Sequence, residues 1–172
     1  TNKISYANMI SEISQRIPNT NIDDITNAIG ADTRIGTKYL KAGLGFAGPC
    51  FPRDNKAISF IGESIGADTS LAKSTERFNL NLNKKNLLKY LKYTKKTDSI
   101  AILGLSYKPN TSSLDESQSL DLANLLSKNN YKVICHDAKM RDIDKNKFNK
   151  KIKFYENLKN CLKRAKCVFI TK

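Results

Sequence analysis

The chain has 172 residues, enough to bury a core in one large or two small domains. Its 40% hydrophobic and 27% charged content is that of an ordinary soluble protein, and no apolar run approaches the roughly 20 residues that span a bilayer. Thirty Lys+Arg against 16 Asp+Glu give a formal charge of +14, which draws polyanions, yet no zinc-finger spacing or aromatic-rich RNA motif accompanies it.

In chain order, Ile4, Met9, Ile10, Ile13 and Ile17 recur at helix-like spacing, and Pro18 and Asn19 end the run. A short helix over residues 21–30 follows, with Asn21 as N-cap and Gly30 closing it. Residues 33–48 read as loop with short helical pieces. A helix should then start near Pro52 and run through Ala57, Ile58 and Ile61. The longest helix covers residues 70–93. Leu71, Phe78, Leu82, Leu87 and Leu91 share no single stripe there, which predicts several apolar faces and burial between partners. Residues 94–98 form a polar hinge.

Composition then changes. Residues 99–105 are nearly all apolar, as in a buried parallel strand. A helix over 120–126, a strand over 131–136, a helix over 158–165 and a strand over 167–170 complete the pattern. The class is therefore α/β: a helical domain over residues 1–95, then a doubly wound, parallel, Rossmann-like domain over 96–172. Ligands are expected beyond the carboxyl ends of its strands. Lys108, just past the first strand, is placed to meet a phosphate. The lysines are dispersed, the densest stretch being residues 139–153, and there are no internal repeats.

The cysteines at 50, 135, 161 and 167 form no Cys-x-x-Cys pair, and the sole histidine is His136, so no metal site is expected. Cys135 and Cys167 lie in apolar strand-like runs and read as core; the usage fits a reduced, cytoplasmic protein. Cys50 differs. It ends the glycine-rich run Gly43-Leu-Gly-Phe-Ala-Gly-Pro-Cys50, with Arg53 three residues on and Asp54 four residues on. Nearby cations and free amides favour thiolate, the nucleophilic form, and a carboxylate at i+4 shares a helix face with it. The local chemistry predicts a reactive cysteine.

Gly-Phe-Ala-Gly-Pro-Cys50-Phe-Pro-Arg-Asp54 resembles the Gly-(Phe/Tyr)-Gly-Gly-Ser-Cys-Phe-Pro-Lys-Asp signature of the UDP-glucose 6-dehydrogenases, within the wider nucleotide-sugar dehydrogenase family. Upstream, Gly30-Ala-Asp-Thr-Arg34-Ile-Gly-Thr-Lys-Tyr39-Leu-Lys-Ala-Gly43 is similar to that family's Gly-x-Asp-x-Arg-Ile-Gly run. Downstream, Leu103-Gly-Leu-Ser-Tyr-Lys108-Pro-Asn-Thr111 resembles its Leu-Gly-Leu-Ala-Phe-Lys-Pro-Asn-Thr.

The resemblance implies oxidation of the C6 alcohol of UDP-glucose to UDP-glucuronate with NAD, in two steps. Cys50 would capture the aldehyde and carry a thioester, and Asp54 would move protons with a water. Tyr39, Leu40, Lys41, Ala42 and Gly43 map onto the substrate loop, with Arg34, Phe46, Ala47 and Lys108 as further substrate residues. Arg53 stands where the family has a lysine near the cofactor. A homodimer is also implied. Because no Gly-x-Gly-x-x-Gly follows an apolar strand, the NAD-binding domain and the family's catalytic lysine and asparagine are expected before residue 1. The final strand reads as mid-domain, so the chain is expected to be a fragment, inactive alone. GDP-mannose and UDP-N-acetylhexosamines are alternative substrates by the same resemblance, and a non-catalytic basic polyanion-binding module is the alternative of another class.

Three departures stand out. Ala47 replaces a glycine, Pro49 replaces the usual serine, and Asp115 stands where relatives carry a cofactor-contacting arginine.

Overall fold

The structure, a computed structural model, describes residues 1–139 and 145–171. The described residues form α1 (Asn2–Ser14), α2 (Ile22–Gly30), α3 (Phe51–Ser64), α4 (Ser70–Leu91), β1 (Ser99–Leu103), α5 (Gln118–Lys128), β2 (Lys132–His136), β3 (Lys153–Phe154), α6 (Leu158–Leu162) and β4 (Cys167–Ile170). This is the α/β class expected, with helices first and a parallel sheet after them. The chain divides into two compact units: Thr1–Phe46 with Cys50–Leu80, and Ala47–Pro49 with Asn81 onward. The division falls inside α4, upstream of the polar residues 94–98.

The first unit is built from α1, α2, α3 and the first part of α4. α1 stops at Ser14, earlier than the apolar spacing predicts. Arg16 and Ile17 tighten the turn by donating to Ile13 and Ser14, and Thr20 Oγ1 donates to the Ser14 carbonyl. α2 begins where expected, with Asn21 Oδ1 accepting from Asp23 N–H. The interior of this unit is unusually polar. Ser5, Asn8, Asn55, Ser59, Thr75 and Asn79 are buried, while Tyr6, Met9, Ile13 and Ile17 of α1 and Ile58, Phe60 and Ile61 of α3 are exposed.

α4 runs close to the expected span and carries apolar residues on more than one side, with Leu82 and Leu87 buried. Leu71, Leu80 and Leu88 are exposed, whereas Thr75, Asn79 and Asn83, spaced four apart on one face, are buried. Each finds a polar partner. Thr75 Oγ1 donates to Asn2 Oδ1 (2.9 Å) and Asn79 grips the backbone of Phe46. In the second unit, Asn83 Nδ2 donates to the Gln118 carbonyl (2.9 Å). Such pairing offsets the cost of burial, although Asn83 Oδ1 itself is buried without a partner among the described residues.

The second unit holds a parallel sheet of order β3-β2-β1-β4. Alternation along the strands separates two cores. Ile100, Ile102, Val133 and Cys135 face Leu122, Ala123 and Leu126 of α5, with Leu87 of α4 in the same cluster. Ala101 and Ile134 pack with Cys161 of α6. β1 ends at Leu103 rather than 105 because Gly104 turns at φ +94°, a left-handed conformation open to glycine. β3 has two residues, too short for any alternation to announce it. α5 starts under a Ser117 cap and is longer than predicted, whereas α6 is shorter. Residues 140–144 of the lysine-dense stretch lie outside the described residues. Among the described residues no helix is long and apolar enough to cross a membrane.

Candidate active site

Cys50 is the N-cap of α3 and is exposed. Its side chain makes no capping bond, and Asp54 N–H donates to its carbonyl at 2.8 Å to close the first turn. Pro52, buried in that turn, costs no hydrogen bond there. Cys50, Arg53 and Asp54 stand at i, i+3 and i+4 and therefore share one side of the helix start. The Arg53 Nε–H donates to Asp54 Oδ1 at 2.8 Å. Asp54, and after it Cys50, strengthen the guanidinium's hold on its proton. The pair is exposed, and an exposed pair exchanges readily with water and other partners.

The loop leading to Cys50 is held at two points in the first unit. Gly43 N–H donates to Asn8 Oδ1 at 2.9 Å. Phe46 N–H donates to Asn79 Oδ1 at 2.8 Å, and Asn79 Nδ2 donates back to the Phe46 carbonyl at 3.0 Å. Gly48, in the second unit, donates its N–H to the Asp115 carbonyl at 3.0 Å. Phe46 is buried, at 3% exposure.

Upstream, Tyr39 is exposed, sits at φ +64° and meets Phe51 edge-on with ring centroids 5.6 Å apart. That contact ties the 39–43 segment to the start of α3. Leu40 is buried, Ala42 half-buried, and Lys41 and Gly43 are exposed. Arg34 turns to Asp32, donating from Nε at 3.0 Å, and holds that carboxyl below its ordinary range. Of the candidates in the first unit, Cys50, Arg53 and Asp54 are thus brought together, and Tyr39 joins them through Phe51.

In the second unit the strand order reverses beside β1, between β2 and β4, which is the crevice position where doubly wound sheets take ligands. The loop after β1 lies there and carries Lys108, exposed, with Nζ 5.4 Å from the Tyr107 ring centroid. Asp137, buried just beyond β2, shapes this loop. Its Oδ2 accepts from Leu105 N–H (2.7 Å), Ser106 N–H (3.1 Å) and Ser106 Oγ (3.1 Å), while Oδ1 accepts from Lys139 N–H (3.0 Å). Sequence reasoning missed Asn8, Asn79 and Asp137. Each acts on backbone about 30 residues or more away in the chain, and only Asp137 carried a signal: a carboxylate directly after a buried strand.

Cys135 and Cys161 are buried and Cys167 half-buried, and burial pushes all three thiols up. Among the described residues no group of three or more His, Cys, Asp or Glu could hold a metal ion.

Residues 1–81 match the central domain of the UDP-glucose/GDP-mannose dehydrogenase family, and residues 101–172 match the same family's UDP binding domain. The chain belongs to this family. UDP-glucose 6-dehydrogenase YwqF of Bacillus subtilis (strain 168) is 33% identical over 172 residues, which cover 98% of this chain and 38% of that protein. UDP-glucose 6-dehydrogenase TuaD of the same organism is 34% identical over 137 residues, 78% of this chain and 30% of that protein. A solved UDP-glucose dehydrogenase from the hyperthermophilic archaeon Pyrobaculum islandicum superposes with a TM-score of 0.89 at 30% identity, over 99% of this chain and 40% of that one. This member of the family therefore spans well under half the length of the relatives it matches.

Its departures from the family signature have local accounts. The positive φ in the cysteine loop, +87°, falls on Gly48 and not on Ala47, so the alanine meets no forbidden conformation. Pro49 is exposed and lacks the N–H that a serine would carry there. The Asp115 carboxylate accepts from Ser113 Oγ at 2.8 Å and pairs with Lys147 Nζ at 3.3 Å, and these partners hold it below its ordinary range. A cation thus accompanies the reversed charge.

Proposed function

We propose that this chain is the central and nucleotide-sugar-binding part of a dehydrogenase that oxidises the C6 alcohol of UDP-glucose to UDP-glucuronate through a thioester on Cys50. The observation that carries the reading is Cys50 itself, an exposed thiol at the N-cap of α3 with the paired Arg53 and Asp54 one turn on and a loop pinned on its upstream side. NAD supplies the two-electron acceptor for each of the two oxidations. Of this chain's residues Arg53 is assigned to it, and an exposed guanidinium with one donor on Asp54 fits an anionic dinucleotide.

Once the alcohol has reached the aldehyde, the Cys50 sulfur adds to C6. The C–S bond forms, the carbonyl π pair moves to oxygen, and that oxygen takes up a proton. The second oxidation turns this thiohemiacetal into a thioester. Water then adds, the C–S bond breaks, the carboxylate leaves and the thiol is restored. Asp54 is assigned the proton transfers with water. Arg34, Tyr39, Leu40, Lys41, Ala42, Gly43, Phe46 and Ala47 are assigned to substrate, and Lys108 to its diphosphate. The division of labour is residues 1–95 for the cysteine and dimerisation, and 96–172 for nucleotide-sugar binding. The exposed apolar residues of α1 and α3 support a homodimer, since surfaces of that kind mark association sites. Four free cysteines support a reduced, cytoplasmic setting.

The test is NADH release by the full-length protein with UDP-glucose, GDP-mannose and UDP-N-acetylhexosamines in parallel. Turnover of UDP-glucose is expected. Robust turnover of another sugar with none of UDP-glucose would overturn the substrate, and no turnover of any would overturn the enzyme.

A further inference from the structure

The Asn79 carboxamide meets Phe46 as a neighbouring strand would, accepting its N–H and donating to its carbonyl at 2.8 and 3.0 Å. At 4% exposure Asn79 makes these bonds without competition from water, so losing them would leave two buried backbone groups unpaired. Gly45 lies against the same carboxamide. A Cβ there would stand 2.0 Å from Asn79 Oδ1, which no real contact allows. Seven residues earlier on α4, about two turns or 10 Å along its axis, the Ala72 carbonyl accepts from Asn55 Nδ2 at 2.9 Å. Asn55 belongs to α3, whose N-cap is Cys50. One helix therefore holds the chain on both sides of Cys50, at Phe46 before it and at Asn55 after it, without bonding the cysteine itself.

We propose that Asn79 is a positioning residue for Cys50. It fixes the point from which the span Gly45–Cys50 departs, with Gly45 the residue that lets the backbone approach, and so sets where the thiol stands. The inference rests on the reading of Cys50 as nucleophile. A purely structural Asn79 would alter stability but not the rate per folded enzyme, and the two roles therefore separate in kcat.

The test uses the full-length enzyme with Asn79→Ala, Asn79→Asp, Gly45→Ala and the Gly45→Ala/Asn79→Ala double variant. Turnover is measured per folded protein, together with the rate of Cys50 carbamidomethylation by iodoacetamide. Asn79→Ala should lower kcat about tenfold or more, because small misplacements of reacting groups cost that much, with KM little changed. Asn79→Asp, which keeps the acceptor for Phe46 N–H, should recover part of the rate. Gly45→Ala alone should be as damaging, yet add little in the Asn79→Ala background, where the colliding oxygen is gone. If Asn79→Ala fails to fold, Gly45→Ala carries the test. Unchanged kcat and unchanged alkylation in both single variants would overturn the proposal, as would losses that follow stability alone and add in full. Failure of the nucleophile reading shows elsewhere, as wild-type turnover that survives Cys50→Ala. Alkylation rates then decide the positioning role by themselves.

Discussion

The ring of Tyr107 packs directly on the Cα of Gly48, so that a Cβ built there would stand 2.6 Å from Cε2. Gly48 also holds φ +87°, which L side chains rarely adopt. Gly48→Ala therefore meets strain and overlap together and should cost roughly 2–4 kcal/mol. Urea unfolding of the chain measures it. Tyr107→Ala in the same background should return part of the loss, because the overlap is with the ring.

Asp137 is the acceptor for four groups of the loops beyond β1 and β2, three from Leu105 and Ser106 and one from Lys139. Asp137→Ala leaves buried N–H groups without a partner and should lower stability by about 2–3 kcal/mol. It should also weaken UDP binding, because Lys108 is carried by the loop that Asp137 holds. Calorimetric titration of wild type and variant with UDP checks the second effect. Asp137→Asn, which retains one acceptor oxygen, should fall between them.

The fold was legible where chemistry is local. Near-continuous apolar runs announced β1 and β2, and Pro52 with the preceding glycines announced the cysteine at the start of α3. The polar face of α4 was not legible, for a physical reason. Thr75, Asn79 and Asn83 look like a solvated face, yet that face is buried because it meets Asn2, the backbone of Phe46 and Gln118, none of which is near it in sequence. Leu82 and Leu87, named on the apolar pattern, are buried. The cation accompanying Asp115 was equally hidden, since Lys147 lies 32 residues further on.

That pair sets a pH dependence. The Ser113 hydroxyl first, and Lys147 after it, hold the Asp115 carboxyl below its ordinary value. A carboxyl depressed in the folded state adds stability above its unfolded pKa and loses it as pH falls through the folded one. The melting temperature of wild type should exceed that of Asp115→Asn at pH 6, and the difference should shrink to nothing at pH values below the carboxylate range. A gap unchanged down to the acid limit would show that the carboxylate charge is not its source.

The cysteines should separate by burial. Cys50 is exposed, whereas Cys135 and Cys161 are buried. A disulfide reagent added to the native chain should modify Cys50 first and reach Cys135 and Cys161 only on unfolding. Cys135→Ser places a hydroxyl in the apolar cluster of β1, β2 and α5 and should cost about 1–3 kcal/mol without a specific effect on turnover.

The covalent role of Cys50 is tested most directly by trapping. Full-length enzyme turning over UDP-glucose is quenched in acid, digested and analysed by mass spectrometry. The peptide containing Cys50 should carry the mass of the UDP-sugar acyl group, lost on treatment with hydroxylamine, while Cys50→Ser should lose the two-step oxidation with substrate binding retained. An unmodified Cys50 peptide under turnover, together with near-normal oxidation to the acid by Cys50→Ser, would contradict the account.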